Sequence, residues 1–328
     1  MMVRLRVCVG ILCAAFTAAA PAAQSAATSS GAYPTKPVRL IVPFPPGGSN
    51  DIVARLVGAD LTERLGKQVI IDNRGGAGGV VGSEIAAHSE PDGHTLLIIS
   101  VAYAFNPSLY KLRFDPEKSF VPVAMLGNGP NALTIFPKLP VNSVKDLVTL
   151  ARSKPGSLNY ATAGVGTFQH LSSELFRILA GVNMVHVPFK GGGPAMADVI
   201  AGNTQICIGS LIQVIPHITS GRLKALGVGG AKRNAALPSV PTIAEAGVPG
   251  YEASNWWGVL APAGTPPAIV TRLNTEISEI MRSPEMQKRF ESQGAETATM
   301  TPAELGKHIR TETAKWSKVV KQAGIKAD

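Results

Sequence analysis

A short apolar strand, a loop rich in glycine or proline and a helix recur in that order along this chain of 328 residues. In the first copy, the apolar run Val38–Val42 ends at the loop 45–51, and apolar residues then recur at helical spacing from Ile52 to Leu61. Strands that alternate with helices favour β-α-β units and a mainly parallel sheet. The pattern therefore predicts an α/β fold.

The alternation restarts after a long apolar stretch, Val121–Ile135, which glycine and proline interrupt. Such a stretch is typical of a strand that passes between two lobes, and the chain is long enough for two domains. We predict a two-lobed α/β fold, each lobe a mainly parallel sheet flanked by helices. The predicted bounds are 33–132 and 226–328 for the first lobe and 133–225 for the second, inserted lobe. Two helices near 268–281 and 302–323, each with proline in its first turn, end the chain.

The first 26 residues predict a signal peptide rather than a part of the fold. Two arginines precede the apolar stretch 7–20, and an alanine-rich segment follows it. The apolar stretch is shorter than the roughly 20 residues that a membrane span needs. Cleavage would remove Cys8 and Cys13 and leave Cys207, which we expect in a buried strand. The mature protein is thus expected to be periplasmic and to contain no internal disulfide.

Charge and motifs argue against several classes of function. The net charge is +9, but lysine and arginine are scattered and no nucleic-acid-binding motif is present, so we expect no nucleic-acid partner. Signatures of dinucleotide binding, P-loops and serine hydrolases are absent. His170 and Glu174 lie one helical turn apart, as two metal ligands can, but no third ligand lies nearby, so packing is the predicted role of His170. We expect no cofactor, no metal and no catalytic residue.

Three loops of similar design carry the predicted chemistry: 45–51, 163–168 and 190–194. Glycine lets a ligand approach the backbone closely, and the free N–H groups of a helix start favour an anion. In open α/β sheets such loops lie at the carboxyl ends of strands, where ligands bind. Ser49, Asn50 or Asp51 is a candidate cap of the first helix; Thr167 is expected either to cap the second helix or to donate its hydroxyl.

Eight stretches of this chain match one known pattern in order: 33–39, 42–51, 72–79, 106–110, 160–171, 187–191, 221–223 and 238–242. Together they resemble the tripartite tricarboxylate transporter receptors, also called Bug proteins. The resemblance covers essentially the whole mature chain and implies a periplasmic solute-binding protein. Its two lobes would close as a clamshell on a small carboxylate and deliver it to a membrane permease.

The resemblance also implies where the ligand binds. The first-lobe loop and a second-lobe loop would grip carboxylates through backbone N–H groups and bridging water. The loop 100–104 would complete the pocket, and Lys190 and Ser210 are further candidates. The implied ligand-binding residues are Phe44, Pro46, Gly47, Gly48, Ser49, Asn50, Asp51, Ser100, Tyr103, Ala163, Gly164, Gly166, Thr167, Lys190 and Ser210.

One position departs from the family pattern. After Gly202 the family usually has Gln-Val-Asp, whereas this chain has Asn203-Thr204-Gln205, so the identity of the ligand is left open. Two other functions also stay open: a ligand-binding component of a sensor, and an enzyme that acts on a carboxylated substrate. We expect a monomer whose partners are the carboxylate and the permease subunits.

Overall fold

The structure, a computed structural model, describes residues 33–325. The signal peptide predicted at 1–26 lies outside these residues. Within the described part, no helix is both long and apolar enough to cross a membrane.

The strands are β1 (Val38–Val42), β2 (Val69–Asn73), β3 (Thr95–Ser100), β4 (Phe120–Ile135), β5 (Asn159–Thr162), β6 (Val185–Pro188), β7 (Ile206–Ser210), β8 (Lys224–Val228), β9 (Ser254–Pro262) and β10 (Glu296–Thr297). The helices are α1 (Ser49–Leu65), α2 (Val80–Ala87), α3 (Ala102–Leu109), α4 (Val144–Ser153), α5 (Phe168–Ala180), α6 (Gly192–Ala201), α7 (Leu211–Thr219), α8 (Pro267–Arg282), α9 (Pro284–Ser292) and α10 (Pro302–Ala323).

The strands form two sheets that share β4. In the first sheet β1 lies parallel between β2 and β3, and β9 pairs antiparallel with both β3 and residues 120–130 of β4. In the second sheet β5 lies parallel between β6 and β7, and Asn131–Ile135 of β4 pairs antiparallel with β7 and β8. The predicted α/β fold and the strand that crosses between lobes are thus confirmed. Each sheet keeps a parallel group of three strands and adds antiparallel neighbours.

One connection differs from the sequence-based expectation. We expected the chain to return to the first lobe at residue 226, but β8 pairs with Ala132–Ile135 in the second sheet. The segment after β8 remains beside the second sheet, since Ala253 N donates to Gly229 O at 2.8 Å. An apolar run such as β8 suits either sheet, so its neighbour is decided by tertiary contacts. We propose that the second lobe spans about residues 131–253 and that β9 carries the chain back.

Helix α1 illustrates how local sequence positions a loop. Val53, Val57 and Leu61 recur every four residues and are almost fully buried in one apolar cluster with β1 and β2. Burial of each such side chain contributes about 1.5–3 kcal/mol. The helix ends at Leu65, and the next residue, Gly66, has a φ of +64° that suits glycine. Because β1 and α1 are both fixed by packing, the loop between them has little freedom.

Candidate functional site

A small cavity of about 40 Å³ lies where five helices of the described chain begin. Helices α1, α3, α5, α6 and α7 each follow a strand, namely β1, β3, β5, β6 and β7. The cavity therefore lies at the carboxyl ends of parallel strands from both sheets, the usual position of ligands in open α/β sheets. The lining residues, none of them charged, are Phe44, Gly48, Ser49, Asn50, Ser100, Ala102, Ala163, Thr167, Phe168, Gln169, Gly192, Ser210, Gln213 and Asn255.

The cavity suits an anion although no cationic side chain lines it. Helices α1, α3, α6 and α7 have no side-chain cap, so no capping side chain occupies the N–H groups of their first turns. Each helix start carries the equivalent of about half a positive charge. The side chain of Asn50 is buried, and its Nδ2 has no hydrogen-bond partner among the described residues. These donors together can bind an anion such as a carboxylate.

The structure brings eight of the predicted site residues together around this cavity. They come from the ends of β1, β3, β5 and β7 and from the helices that follow. The other seven do not line it. The eight are Phe44, Gly48, Ser49, Asn50, Ser100, Ala163, Thr167 and Ser210, and the seven are Pro46, Gly47, Asp51, Tyr103, Gly164, Gly166 and Lys190.

Asp51 holds the first loop in place rather than lining the cavity. Its carboxylate accepts hydrogen bonds from Gly47 N at 3.0 Å, Asn73 Nδ2 at 3.0 Å and Arg55 Nε at 3.0 Å. Burial alone would raise the pKa of Asp51, but the hydrogen bonds from Arg55, Gly47 and Asn73 outweigh it and hold the pKa below its usual range. The Gly47 amide is thus occupied within the protein, while Gly48 lines the cavity.

The second-lobe loop is also held by its own hydrogen bonds. Thr167 caps α5: its Oγ1 accepts from His170 N at 3.4 Å and donates to Gly164 O at 2.7 Å. Gly164 N donates to Thr162 Oγ1 at 3.2 Å, and Gly166 N donates to His170 Nδ1 at 3.3 Å. Of the two roles expected for the Thr167 hydroxyl, the structure shows the cap. The loop therefore presents Ala163 and Thr167 to the cavity and keeps its glycine amides engaged.

Tyr103 and Lys190 face other parts of the molecule. Tyr103 is buried, and its hydroxyl donates to Pro116 O at 2.7 Å. Lys190 is exposed and borders a groove beside the glycine-rich segment 75–79, which adjoins the cavity and shares Phe44 and Ala163 with it. Pro46 lies in that groove as well. None of the three side chains is placed to contact a ligand in the main cavity.

Asn255, which the sequence did not single out, connects the elements around the cavity. Its Nδ2 donates to Ser49 Oγ at 3.4 Å and Ser210 Oγ at 3.2 Å, and its Oδ1 accepts from Val101 N at 3.3 Å and Trp256 N at 3.0 Å. One buried side chain thus joins the starts of α1, α3 and α7. No pattern around residue 255 predicts this role, because β9 itself was not predicted.

Five further lining residues were missed: Ala102, Phe168, Gln169, Gly192 and Gln213. Four of them had a usable signal. Phe168 and Gly192 belong to predicted glycine loops, and Gln169 follows directly, in the first turn of the predicted helix. Ala102 lies in the loop 100–104, which the family resemblance already places at the pocket. Gln213 had no signal, because α7 was not predicted as a helix.

His170 and Glu174 have structural partners. The His170 ring stacks on His186 with centroids 4.3 Å apart, as its predicted packing role requires. Glu174 accepts hydrogen bonds from Tyr160 and Arg177. Among the residues from 33 to 325, no group of three His, Cys, Asp or Glu side chains is arranged to hold a metal ion.

Gln205, which departs from the family pattern, lies away from the cavity lining. Its Oε1 accepts from Asn159 N at 3.0 Å, and its Nε2 donates to Asn203 O at 3.2 Å. The side chain therefore holds the turn before β7 against β5. Its identity does not change which groups line the cavity.

Comparison with known proteins agrees with this geometry. The model of the tripartite tricarboxylate transporter family receptors matches residues 53–325. The protein BugT of Bordetella pertussis is 38% identical over 332 residues, covering 99% of both chains. Two solved structures each cover 90% of this chain and 100% of their own with a TM-score of 0.87: R. palustris Rpa4515 with adipate, 38% identical, and the periplasmic binding protein BugD, 32% identical. With its α/β fold of two sheets and a cavity at the helix starts, the chain belongs to the tripartite tricarboxylate transporter receptor family of two-lobed solute-binding proteins.

Proposed function

We propose that this protein binds a small carboxylate in the cavity between its two sheets, in the periplasm, and delivers it to a membrane permease. The observation that carries the proposal is the convergence of five helix starts on a cavity lined by uncharged residues. The negative charge of a carboxylate compensates the partial positive charge of these helix starts. Its oxygens accept hydrogen bonds from their N–H groups. Rpa4515, 38% identical, is described with adipate, which is consistent with this class of ligand.

The donors around the cavity are sufficient for useful affinity. A hydrogen bond to a charged group contributes about 1.5–3 kcal/mol, so four or five give roughly 6–15 kcal/mol before the costs of association. Binding in the micromolar range corresponds to about −8 kcal/mol. Because the donors come from both sheets, neither lobe alone supplies enough of them, and closure of the lobes is part of recognition.

A thermal-shift and calorimetric screen tests the ligand class. Small carboxylates should raise the melting temperature, and a ligand at 100 times its dissociation constant should add about 2.7 kcal/mol of stability. The matched controls are the fully amidated or esterified forms of the same acids, which lack the negative charge. A neutral derivative that stabilises the protein as well as its acid would contradict the proposal.

Export and delivery need their own tests. The N-terminal sequence of the protein from the periplasm should begin between about residues 23 and 30, and an intact Met1 would contradict export.

Deletion of the gene should abolish uptake of the bound carboxylate. Unchanged uptake with an altered transcriptional response to the same carboxylate would instead support the sensor function.

A further inference from the structure

Two glutamines form a buried amide pair at the second-sheet side of the cavity. Gln169 lies in the first turn of α5 and Gln213 in the first turn of α7, and their side chains are 5% and 4% exposed. Gln169 Nε2 donates to Gln213 Oε1 at 2.9 Å. The opposite atoms, Gln169 Oε1 and Gln213 Nε2, are buried without a hydrogen-bond partner among the described residues. The pair belongs to the lining of the cavity.

The chemistry of this pair does not depend on which way either amide faces. Two amides that share one hydrogen bond always use one donor and one acceptor between them. What remains for a ligand is therefore at least one N–H donor together with one carbonyl acceptor. Buried polar groups left without partners are costly, so a ligand that fits must satisfy both.

Glycine backbone packs against the pair and fixes its position. A Cβ atom at Gly192 would lie 2.8 Å from Gln213 Nε2, and one at Gly209 would lie 3.3 Å from Gln169 Nε2. Neither position therefore has room for a larger side chain unless the amides move. The two glutamines are held against backbone, which is the arrangement of a built recognition site rather than of two mobile surface amides.

The elements of the two sheets contribute different groups to the cavity. From the first sheet, the uncapped start of α1 and the unpartnered Asn50 Nδ2 offer donors, which suits a carboxylate. From the second sheet, the glutamine pair offers a donor and an acceptor. A second carboxylate is an acceptor without a donor at neutral pH, so it would leave the amide carbonyl unpaired and oppose its negative end.

From this asymmetry we infer that Gln169 and Gln213 select a ligand that carries a neutral hydrogen-bonding group, a carboxamide or hydroxyl, in addition to its carboxylate. The inference rests on the proposed binding of a carboxylate and adds the chemistry of the ligand's second polar group. A carboxamide or a hydroxyl is both donor and acceptor and satisfies the pair completely.

Calorimetry at pH 7.5 with matched acids of two lengths tests this. The probes are adipate, its half-amide, 6-hydroxyhexanoate, hexanoate and adipamide, with the four-carbon series built on succinate in parallel. The half-amide or hydroxy acid of at least one length should bind about tenfold or more tightly than the diacid and the unsubstituted acid of that length.

The variants Gln169→Met and Gln213→Met should abolish this preference. Methionine keeps the length of the side chain and removes its donor and acceptor, so the half-amide and the unsubstituted acid should then bind within about threefold of each other. The control is Gln287→Met, at an exposed position of α9, which should keep the full preference. Circular dichroism checks that each variant is folded; if one is not, the ligand ranking of the unaltered protein decides alone.

The outcomes separate the inference from the function on which it rests. A diacid that binds more tightly than every half-amide and hydroxy acid overturns the inference and leaves carboxylate binding intact. Failure of all half-amides and hydroxy acids to bind at millimolar concentration also overturns the inference. Binding of adipamide or succinamide with no binding of any acid overturns the proposed function itself.

Discussion

Two adjacent glycines at the start of α1 differ in what a side chain would meet. Gly47 has a φ of +83°, and a Cβ there would lie 3.4 Å from the Cα of Gly193. Gly48 has a φ of −84°, and the nearest atom to its Cβ would be Pro45 O at 3.8 Å. A side chain at Gly48 is therefore compatible with the fold but extends toward the cavity, whereas one at Gly47 strains the backbone.

Gly48→Val should lower ligand affinity at least tenfold, because the branched side chain occupies space beside the free amides of α1. The free energy of unfolding should fall by less than about 1 kcal/mol, the cost of valine in place of glycine at an N-cap. Calorimetry with the best acid and urea unfolding measure the two effects. Gly48→Ala should give an intermediate loss. Unchanged affinity in folded Gly48→Val would remove this loop from the site.

Asp51→Asn should destabilise the protein by about 1–2 kcal/mol at pH 7, since an amide cannot accept from all the donors that the carboxylate binds. The native pKa of Asp51 lies below its usual value of about 3.9, so the charged form stabilises the fold above that pH. The difference between the two proteins should shrink as the pH falls below 3.9. Urea unfolding from pH 7 to pH 2.5 measures it.

The control for Asp51 is Asp60→Asn, which breaks a partly exposed ion pair with Arg289. Exposed pairs of this kind contribute at most about 1 kcal/mol. A pH-independent difference for Asp51→Asn would show that the carboxylate charge does not stabilise the loop.

At the scale of elements, the helix starts around the cavity divide into two kinds. Helix α5 is capped by Thr167 from within the protein, whereas α1 has no side-chain cap. The N-terminal amides of α1 are therefore freer to bind a ligand than those of α5. We therefore expect the start of α5 to contribute mainly to stability and the start of α1 mainly to ligand binding.

Thr167→Val should accordingly lower the free energy of unfolding by about 1 kcal/mol, the usual value of an N-cap hydroxyl. Its effect on affinity should be smaller than that of Gly48→Val, since the lost hydroxyl bonds to Gly164 O and His170 N rather than to the ligand. Thr167→Ser, which keeps the hydroxyl, is the control for urea unfolding and calorimetry. A tenfold loss of affinity without loss of stability would mean that the hydroxyl contacts the ligand directly.

At the scale of the whole molecule, a loop of the first lobe contacts the start of α6 in the second lobe. A Cβ at Gly193 in α6 would lie 2.7 Å from Pro46 O, and one at Gly191 would lie 2.7 Å from the Pro45 ring. The first-lobe loop and the start of α6 thus approach each other closely beside the cavity. Glycine at these positions is what permits the approach.

Gly193→Ala should weaken binding and reduce the compaction that the ligand causes in small-angle scattering, because the added methyl keeps the two loops apart. Because this methyl would lie 2.7 Å from a backbone oxygen, the two loops must also move apart in the ligand-free protein, and urea unfolding measures what that movement costs. The control is Gly306→Ala in α10, whose Cβ would meet its nearest neighbour at 3.4 Å. Full compaction in Gly193→Ala would show that this contact does not limit closure.

Several elements could be predicted because their signals are local. The helices predicted at 268–281 and 302–323 match α8 (Pro267–Arg282) and α10 (Pro302–Ala323) to within one residue at each end. Each has proline in its first turn. The buried strand position of Cys207 is confirmed as well. By contrast, α7 was missed because Pro216 interrupts a run rich in branched apolar residues, which reads equally well as a strand.

The sequence by itself determined the α/β alternation, the crossing strand β4 and the glycine loops, because periodicity and backbone preference act over a few residues. The tertiary structure alone decided that β8 joins the second sheet and that Asn255 links three helix starts. It also decided that Asp51 faces Arg55 rather than the cavity, and that Gln169 meets Gln213. These outcomes depend on which distant elements become neighbours, since hydrogen bonds between residues far apart in the chain leave no local pattern.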